Sequence, residues 1–141
     1  MEYDETHQKI LNTGIQILRN KLPGLIAVVA FGSFGTEYER HDSDLDLAIL
    51  LKEPDNSVDP VKLWNLSQEI AKAIGRDVDI INLRQASTVF SYQVLTSGNT
   101  VYCSNEMILA NFENLIMSMY LRFQEERKDI LKDFGKGFSH G

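Results

Sequence analysis

The chain lacks the features that mark most secreted, membrane-spanning and disulfide-stabilised proteins. Its single cysteine, Cys103, cannot form an internal disulfide, and we interpret it as a small core residue of a strand in a reducing compartment. No apolar run reaches the length of a membrane span. The first five residues are acidic and have no apolar signal core behind them. These absences predict a cytoplasmic protein.

Basic residues are also few. The chain has 14 lysines and arginines against 20 acidic residues, which gives a net charge of −6. A nucleic-acid-binding protein usually shows a basic stripe, so we expect no direct contact with nucleic acid. An acidic surface instead suits a basic protein partner. The length of 141 residues fits one domain, which we place at residues 1–134, with a flexible tail over residues 135–141.

The most informative segment lies between two apolar runs, Leu25–Phe31 and Leu45–Leu51, which predict neighbouring strands. The first run ends at Gly32–Ser33, and ten residues after this turn Asp44 and Asp46 open the second run. Side chains alternate between the two faces of a strand. The two carboxylates should therefore lie on one face, with the neighbouring leucines on the other.

Paired carboxylates on one strand face repel each other unless a cation lies between them. Mg²⁺ prefers oxygen ligands and is typically bound by one or two carboxylates together with nucleotide phosphates. The backbone of Gly32 and the hydroxyl of Ser33 are suited to binding phosphate, at the start of a short helix predicted over residues 34–39. We expect Arg40, in the following loop, to contact the triphosphate, although an exposed loop arginine is more often only solvated.

A third carboxylate lies in a later β-branched run, Asp77–Leu83. Asp79 is placed within its apolar part, where an acid is rarely found without a partner. We therefore predict that Asp79 belongs to the same site and that Asp77, at the start of the run, is solvated. Arg84, directly after this strand, is equally compatible with phosphate binding and with a surface position at a strand end.

The remaining pattern alternates helices with strands. We expect helices over residues 6–21, 60–75 and 87–97, a short strand over 100–103, and a long C-terminal helix that begins near Asn105. The predicted fold is α/β or α+β, a mixed sheet of about four strands with helices packed on one side. Trp64 and most of the apolar stripe of the long helix are predicted to lie in the core.

This combination of Gly-Ser turn, Asp-x-Asp pair and later strand aspartate resembles the minimal nucleotidyltransferases of the DNA polymerase β superfamily. The stretches Asp79–Tyr102 and Ser118–Lys128 are similar to the MntA group, antitoxins that adenylylate a HEPN-family toxin, HepT. The chain departs from many minimal nucleotidyltransferases at one position, since it has Glu37 where they have a second glycine, although Gly35 lies close by.

The resemblance implies a nucleotidyltransferase fold and transfer of AMP from ATP. It assigns metal binding to Asp44, Asp46 and Asp79, with two Mg²⁺ ions, and Asp79 is also expected to accept the proton of the attacking hydroxyl. It implies that the acceptor is a tyrosine of a HEPN ribonuclease toxin, bound as a hetero-oligomer.

Two other functions fit the same residues. A small-molecule nucleotidyltransferase, for instance one that modifies aminoglycosides, would use the same chemistry on a polycationic acceptor. Such enzymes usually need a further helical domain, which this chain has little room for. An antitoxin that neutralises its partner by binding alone would not need the three aspartates.

Overall fold

A computed structural model describes residues 2–40, 44–52 and 58–139, with side chains through Asp133. His41, Ser43 and the loop over residues 53–57 lie outside the described residues, as do the last two residues of the predicted tail. The elements follow in the order α1 (Glu5–Lys21), β1 (Leu25–Phe31), β2 (Leu45–Leu51), α2 (Pro60–Ile74), β3 (Val78–Asn82), α3 (Thr88–Ser97), β4 (Asn99–Cys103) and α4 (Glu106–Ser139).

The four strands form one mixed sheet in the order β3-β2-β1-β4. Strand β1 pairs antiparallel with both β2 and β4, whereas β2 pairs parallel with β3. The predicted mixed sheet of four strands with a long C-terminal helix is confirmed. Strand β3 lies at one edge of the sheet, which determines how open the candidate site is.

Helices cover both faces of the sheet, so the prediction of helices on one side is wrong. Helices α1 and α2 pack on one face through Leu11, Leu18 and Ile70. Helices α3 and α4 pack on the other through Val94 and Phe112. The physical reason is visible in the sequence of β1, where both alternating sets of side chains are apolar and buried.

The predicted boundaries of α1, α2 and α3 and the predicted start of α4 are confirmed to within one or two residues. The Asp59 carboxylate accepts a hydrogen bond from the Val61 amide at 2.9 Å, and Pro60 is the first helical residue of α2. Gly75 ends the same helix with a positive φ of 74°. At the start of α4 the Ile108 amide donates to the Asn105 side chain at 3.1 Å.

Two predictions about the core are wrong. Trp64 is 63% exposed, because the inward face of α2 is formed by Leu66 and Ile70. The apolar stripe of α4 is buried at Leu109, Phe112 and Ile116, but it becomes exposed further along the helix at Leu121, Phe123, Ile130 and Leu131. Helix α4 therefore extends beyond the sheet that its first turns cover.

Residues 135–139 continue α4 as helix, where the sequence predicted a tail. The flexibility of this end and the single-domain boundary at residue 134 stay predictions. Cys103 is only half-buried, against the core beneath α3 and α4. Among the described residues, no helix combines the length and apolarity that a membrane crossing requires.

Candidate active site

The site lies at the end of the sheet where β1 finishes and β2 and β3 begin. Phe31, the last residue of β1, pairs with Asp46 on β2. Asp46 in turn pairs with Asp79 on β3. Because directly paired residues point to the same face of a sheet, the predicted partners Asp46 and Asp79 are neighbours on adjacent strands. The leucines on either side of Asp46 are buried on the opposite face, as the alternation predicted.

Gly32 follows β1 directly and lies against the Asp46 carboxylate. A Cβ atom at position 32 would collide with Oδ2 of Asp46, and the backbone there has a φ of +76°. Both observations require glycine, since a side chain would be strained and would also displace the carboxylate. The predicted turn glycine and the predicted metal ligand are thus in direct contact.

The electrostatic setting of Asp46 reflects its neighbours. Partial burial raises the pKa of the Asp46 carboxyl above its ordinary value of 3.8, and the nearby charges of Asp79 and Asp44 raise it further. Asp44 is exposed at the start of β2. The charges of the other two predicted aspartates therefore both act on Asp46, and this repulsion favours a bound cation.

The donor chemistry of these three aspartates fits Mg²⁺, because all three side chains offer carboxylate oxygens. Their charges have the same sign, so none of them can neutralise another. Within the described ranges, no three histidine, cysteine or acidic side chains already converge closely enough to hold a metal ion. Both observations are compatible, since like charges without a cation between them stay apart.

Asp79 is exposed, although Val78 and Ile80 on either side of it are buried. Its strand, β3, is an edge strand with β2 on one side only. A shallow groove of about 230 Å³ lies beside it, between α2 and β3, and is lined by Pro60, Leu63, Trp64, Ser67, Asp79 and Ile80. This groove lies on the face of the sheet that α2 covers, whereas Asp79 alternates to the other face together with Asp46. The accessibility of its carboxylate to a large reactant therefore follows from its own exposure.

The predicted helix over residues 34–39 is absent, and this segment consists of successive turns. The Thr36 amide and hydroxyl both donate to the Ser33 carbonyl, at 3.0 and 2.6 Å, and the Glu39 amide donates to the Thr36 carbonyl at 3.1 Å. Gly35 also has a positive φ of 76°, which interrupts helical geometry. A phosphate at this turn therefore cannot depend on a helix N-terminus.

Side chains from distant elements fix this turn, and sequence reasoning missed them. The Glu39 carboxylate accepts from the Gly35 amide at 2.9 Å and from an Arg76 guanidinium nitrogen at 2.6 Å. Its Oε2 atom also lies 2.7 Å from Nε2 of His7. Local spacing gives no signal for these contacts, because Glu39 is separated from His7 and Arg76 by 32 and 37 positions.

The other residues considered for phosphate binding, Ser33, Arg40 and Arg84, lie at two different ends of the sheet. Ser33 is half-buried in the turn and Arg40 is exposed at its end, so both lie in the segment that joins Gly32 to the aspartates. Their contacts with a nucleotide stay predictions. Arg84 lies at the opposite end of the sheet, where it donates to the Leu51 carbonyl at 2.7 Å and its guanidinium lies 5.2 Å from the Phe112 ring centroid. Arg84 therefore has a structural role there, far from the carboxylates.

Comparison with known proteins identifies relatives over most of the chain. The family model described as Polymerase beta, Nucleotidyltransferase matches residues 8–107. The protein adenylyltransferase MntA of Shewanella oneidensis strain MR-1 is 34% identical over 122 residues, which cover 86% of this chain and 85% of the relative.

Solved structures agree with this match. A toxin–antitoxin structure with AMP-PNP has a chain that is 34% identical, with a TM-score of 0.75 and coverage of 86% of this chain and 95% of that one. A structure of the tri-AMPylated Shewanella oneidensis HEPN toxin in complex with the MNT antitoxin has a chain that is 34% identical, with a TM-score of 0.74 and coverage of 90% and 97%. Because the family match spans the Gly32 turn and all three aspartates, this chain belongs to the Polymerase beta nucleotidyltransferase family.

Proposed function

We propose that the protein transfers AMP from ATP to a tyrosine of a HEPN-family ribonuclease toxin and thereby acts as its antitoxin. The observation that carries this proposal is that the Gly32 turn at the end of β1, Asp46 on β2 and Asp79 on β3 lie side by side at one end of the sheet. The relatives add the reaction, because they include an adenylyltransferase and a complex with an AMPylated toxin.

The triphosphate is bound at the turn after β1. The backbone of Gly32 permits close approach because it carries no side chain, and the Ser33 hydroxyl would donate to the β- or γ-phosphate. Arg40 supplies positive charge from the end of the same segment. ATP as the nucleotide is supported by the AMP-PNP bound in the structure of a relative.

Asp44, Asp46 and Asp79 would hold Mg²⁺, with two ions as the expected number. Bound there, the metal neutralises charge on the triphosphate and on the pyrophosphate that leaves. The contribution of the chain is to keep three hard oxygen donors on one face of the sheet. Asp46, already flanked by Asp79 and Asp44, is the central donor.

The reaction forms one bond and breaks one. The tyrosine oxygen attacks the α-phosphorus of ATP, and the bond between that phosphorus and the oxygen bridging to the β-phosphate breaks, which releases pyrophosphate. Asp79 takes the phenolic proton, directly or through one water. Its position on an edge strand lets it meet a hydroxyl that a partner brings from outside.

The open surroundings of Asp79 favour a protein acceptor over a small molecule. Asp79 is exposed on an edge strand, and the described residues include no second domain that would enclose a drug-sized acceptor. The net charge of −6 suits a basic toxin, with no direct contact to nucleic acid. A cytoplasmic location is part of this proposal, consistent with one free cysteine.

The added phosphate places negative charge and adenosine bulk on the toxin, which would block binding of its RNA substrate. Co-expression of the toxin with Asp44→Asn tests this mechanism, with Asp77→Asn as a matched control because Asp77 is exposed and its backbone carbonyl, rather than its side chain, pairs with the Leu45 amide. We expect Asp44→Asn to abolish both protection and the AMP adducts seen by intact mass. The control should retain both.

Two other outcomes would each refute the proposal. Protection by Asp44→Asn without AMP on the toxin would show that neutralisation occurs by binding alone. Transfer of AMP to an aminoglycoside, with none to the toxin when purified protein is incubated with ATP, Mg²⁺ and each acceptor in turn, would identify a small-molecule enzyme.

A further inference from the structure

The segment from Gly32 to Arg40 has no regular secondary structure, yet it must present phosphate-binding groups in a fixed arrangement. A helix would supply this order through its own backbone hydrogen bonds, but here only isolated turns are present. Order must therefore come from side chains that hold the segment against the rest of the domain.

Phe34 is the apolar anchor of the segment. Its ring is 3% exposed and belongs to the core beneath α1 and α2. The His7 ring packs edge-on against it with a centroid distance of 4.9 Å, and the Arg76 guanidinium lies 5.2 Å from its centroid. Two potentially cationic groups from different elements thus pack around one aromatic ring.

Glu39 connects both of these groups. Its carboxylate contacts His7 through one oxygen and Arg76 through the other, at 2.7 and 2.6 Å. The side chains of all three residues are mostly buried, with 22%, 14% and 19% exposure for His7, Glu39 and Arg76. Charge-assisted hydrogen bonds at these distances in partly buried surroundings are stronger than exposed ion pairs.

The same carboxylate also closes the segment on itself. Oε2 of Glu39 accepts from the Gly35 amide, so the turn that follows Gly32 is tied to the residue before Arg40. At the other end, His7 is fixed by Asp4, whose carboxylate lies 2.6 Å from Nδ1. The segment is therefore linked to the start of α1 and to the residue after Gly75 by one cluster.

We infer that Glu39, bound by His7 and Arg76, is a positioning residue that presets the Gly32–Arg40 segment for the triphosphate. This inference rests on the proposed function for the identity of the ligand. Glu39 itself need not contact ATP, because its role is to remove the cost of ordering the segment on binding. His7 and Arg76 also compensate a carboxylate that would otherwise repel the phosphates.

The decisive comparison is Glu39→Gln against Glu37→Gln. Both substitutions neutralise one carboxylate of the same segment, but Glu37 is exposed, whereas Glu39 carries the contacts described above. We expect Glu39→Gln to weaken ATP binding in the presence of Mg²⁺ by about tenfold, measured by calorimetry, with turnover of bound ATP changed far less. Glu37→Gln should not weaken binding.

Amide hydrogen exchange of the ligand-free protein provides a readout that does not depend on ATP. The Gly35 amide should exchange faster in Glu39→Gln than in Glu37→Gln, because it loses a charged acceptor. If Glu39→Gln unfolds too readily for this measurement, Arg76→Lys keeps the positive charge but removes the guanidinium that donates to Glu39, and should raise exchange to an intermediate extent.

Lower thermal stability of Glu39→Gln with unchanged ATP affinity well below its melting temperature would overturn the inference, since the cluster would then only stabilise the fold. Unchanged Gly35 exchange would overturn it as well. Should the wild-type protein not bind ATP, the proposed function fails, and the exchange comparison alone then decides whether Glu39 orders the segment.

Discussion

Gly32 and Asp46 are in such close contact that the glycine cannot be replaced without moving the carboxylate. The Cβ of any other residue at position 32 would overlap Oδ2 of Asp46. Asp46 is also paired with Asp79. A side chain at position 32 would therefore disturb the arrangement of both carboxylates. The Gly32 turn and the proposed metal ligands therefore form a single geometric unit.

Gly32→Ala should consequently lose both stability and activity. The positive φ alone costs about 1–2 kcal/mol for an alanine. The displaced carboxylate should lower AMP transfer by roughly 100-fold, as expected for a misplaced catalytic group. Chemical denaturation and a transfer assay on the same preparation measure the two effects.

Gly75→Ala is the matched control for this substitution. Gly75 has nearly the same φ, 74°, but a Cβ there would meet nothing within 4 Å. It should show a similar loss of stability with transfer retained. Equal loss of transfer in both variants would mean that backbone strain, and not contact with Asp46, explains the Gly32 result.

Asp46→Asn should raise the stability of the metal-free protein while it abolishes transfer. The carboxylate is partly buried beside two like charges, so its neutralisation relieves repulsion. The melting temperature of the wild-type protein should rise on addition of Mg²⁺, and that of Asp46→Asn should respond much less. An equal Mg²⁺ response in both proteins would argue against Asp46 as a ligand.

Asp79→Asn should reduce the chemical step more than ATP binding, because its proposed role includes proton acceptance. Single-turnover measurements with saturating ATP isolate this step. Asp77→Asn, two positions earlier and exposed, is the control. Loss of ATP affinity with normal turnover of bound ATP would contradict the proposed role of Asp79 as a base.

Much of the sheet and the central carboxylates could be predicted from sequence because strand patterns are local. Alternation placed Asp46 on the face opposite Leu45 and Leu47, and the structure confirms it. Alternation does not report strand order, however. The position of β3 at the sheet edge, where Asp79 is exposed, comes from the structure.

The features that the sequence did not predict are contacts between residues far apart in the chain. Glu39 belongs to a segment predicted as helix, and its partner Arg76 follows the end of α2. Periodicity cannot detect such a pair. The same limit applies to Trp64, because an apolar residue next to an inward-facing helical stripe is assigned to the core unless the neighbouring elements are known.

The exposed part of α4 leads to a prediction about stability. Phe112 is 6% exposed and Phe123 is 54% exposed, although both continue the same apolar stripe. Phe112→Ala should cost about 3 kcal/mol of unfolding free energy. Phe123→Ala should cost less than about 1 kcal/mol in the isolated protein, as measured by urea denaturation. Similar costs for both would mean that the distal part of α4 is covered.

The cluster formed by Asp4, His7, Glu39 and Arg76 should make the free energy of unfolding depend on pH in a defined direction. Partial burial lowers the pKa of His7, but hydrogen bonds to Asp4 and Glu39 outweigh this effect, so its pKa is raised above the ordinary value of 6.5. A raised pKa of a cationic group gives stability that is fully present below the ordinary value and is lost as pH rises through the folded-state pKa. The stability that Glu39 contributes depends on pH in the opposite sense, because it is lost as pH falls through the folded-state pKa of Glu39. Burial raises its pKa, but Arg76, the Gly35 amide and His7 together lower it below 4.5.

The cluster should therefore contribute most between about pH 4.5 and pH 6.5, the window between these two ordinary values. Urea denaturation of the wild type and His7→Gln from about pH 4.5 to pH 9 tests the expectation. The stability difference between them should be largest near pH 6 and should shrink as pH rises through the folded-state pKa of His7, because the neutral imidazole loses its attraction to Glu39. A difference that stays constant from about pH 5 to pH 9 would show that His7 stabilises the segment by packing on Phe34 and not by its charge.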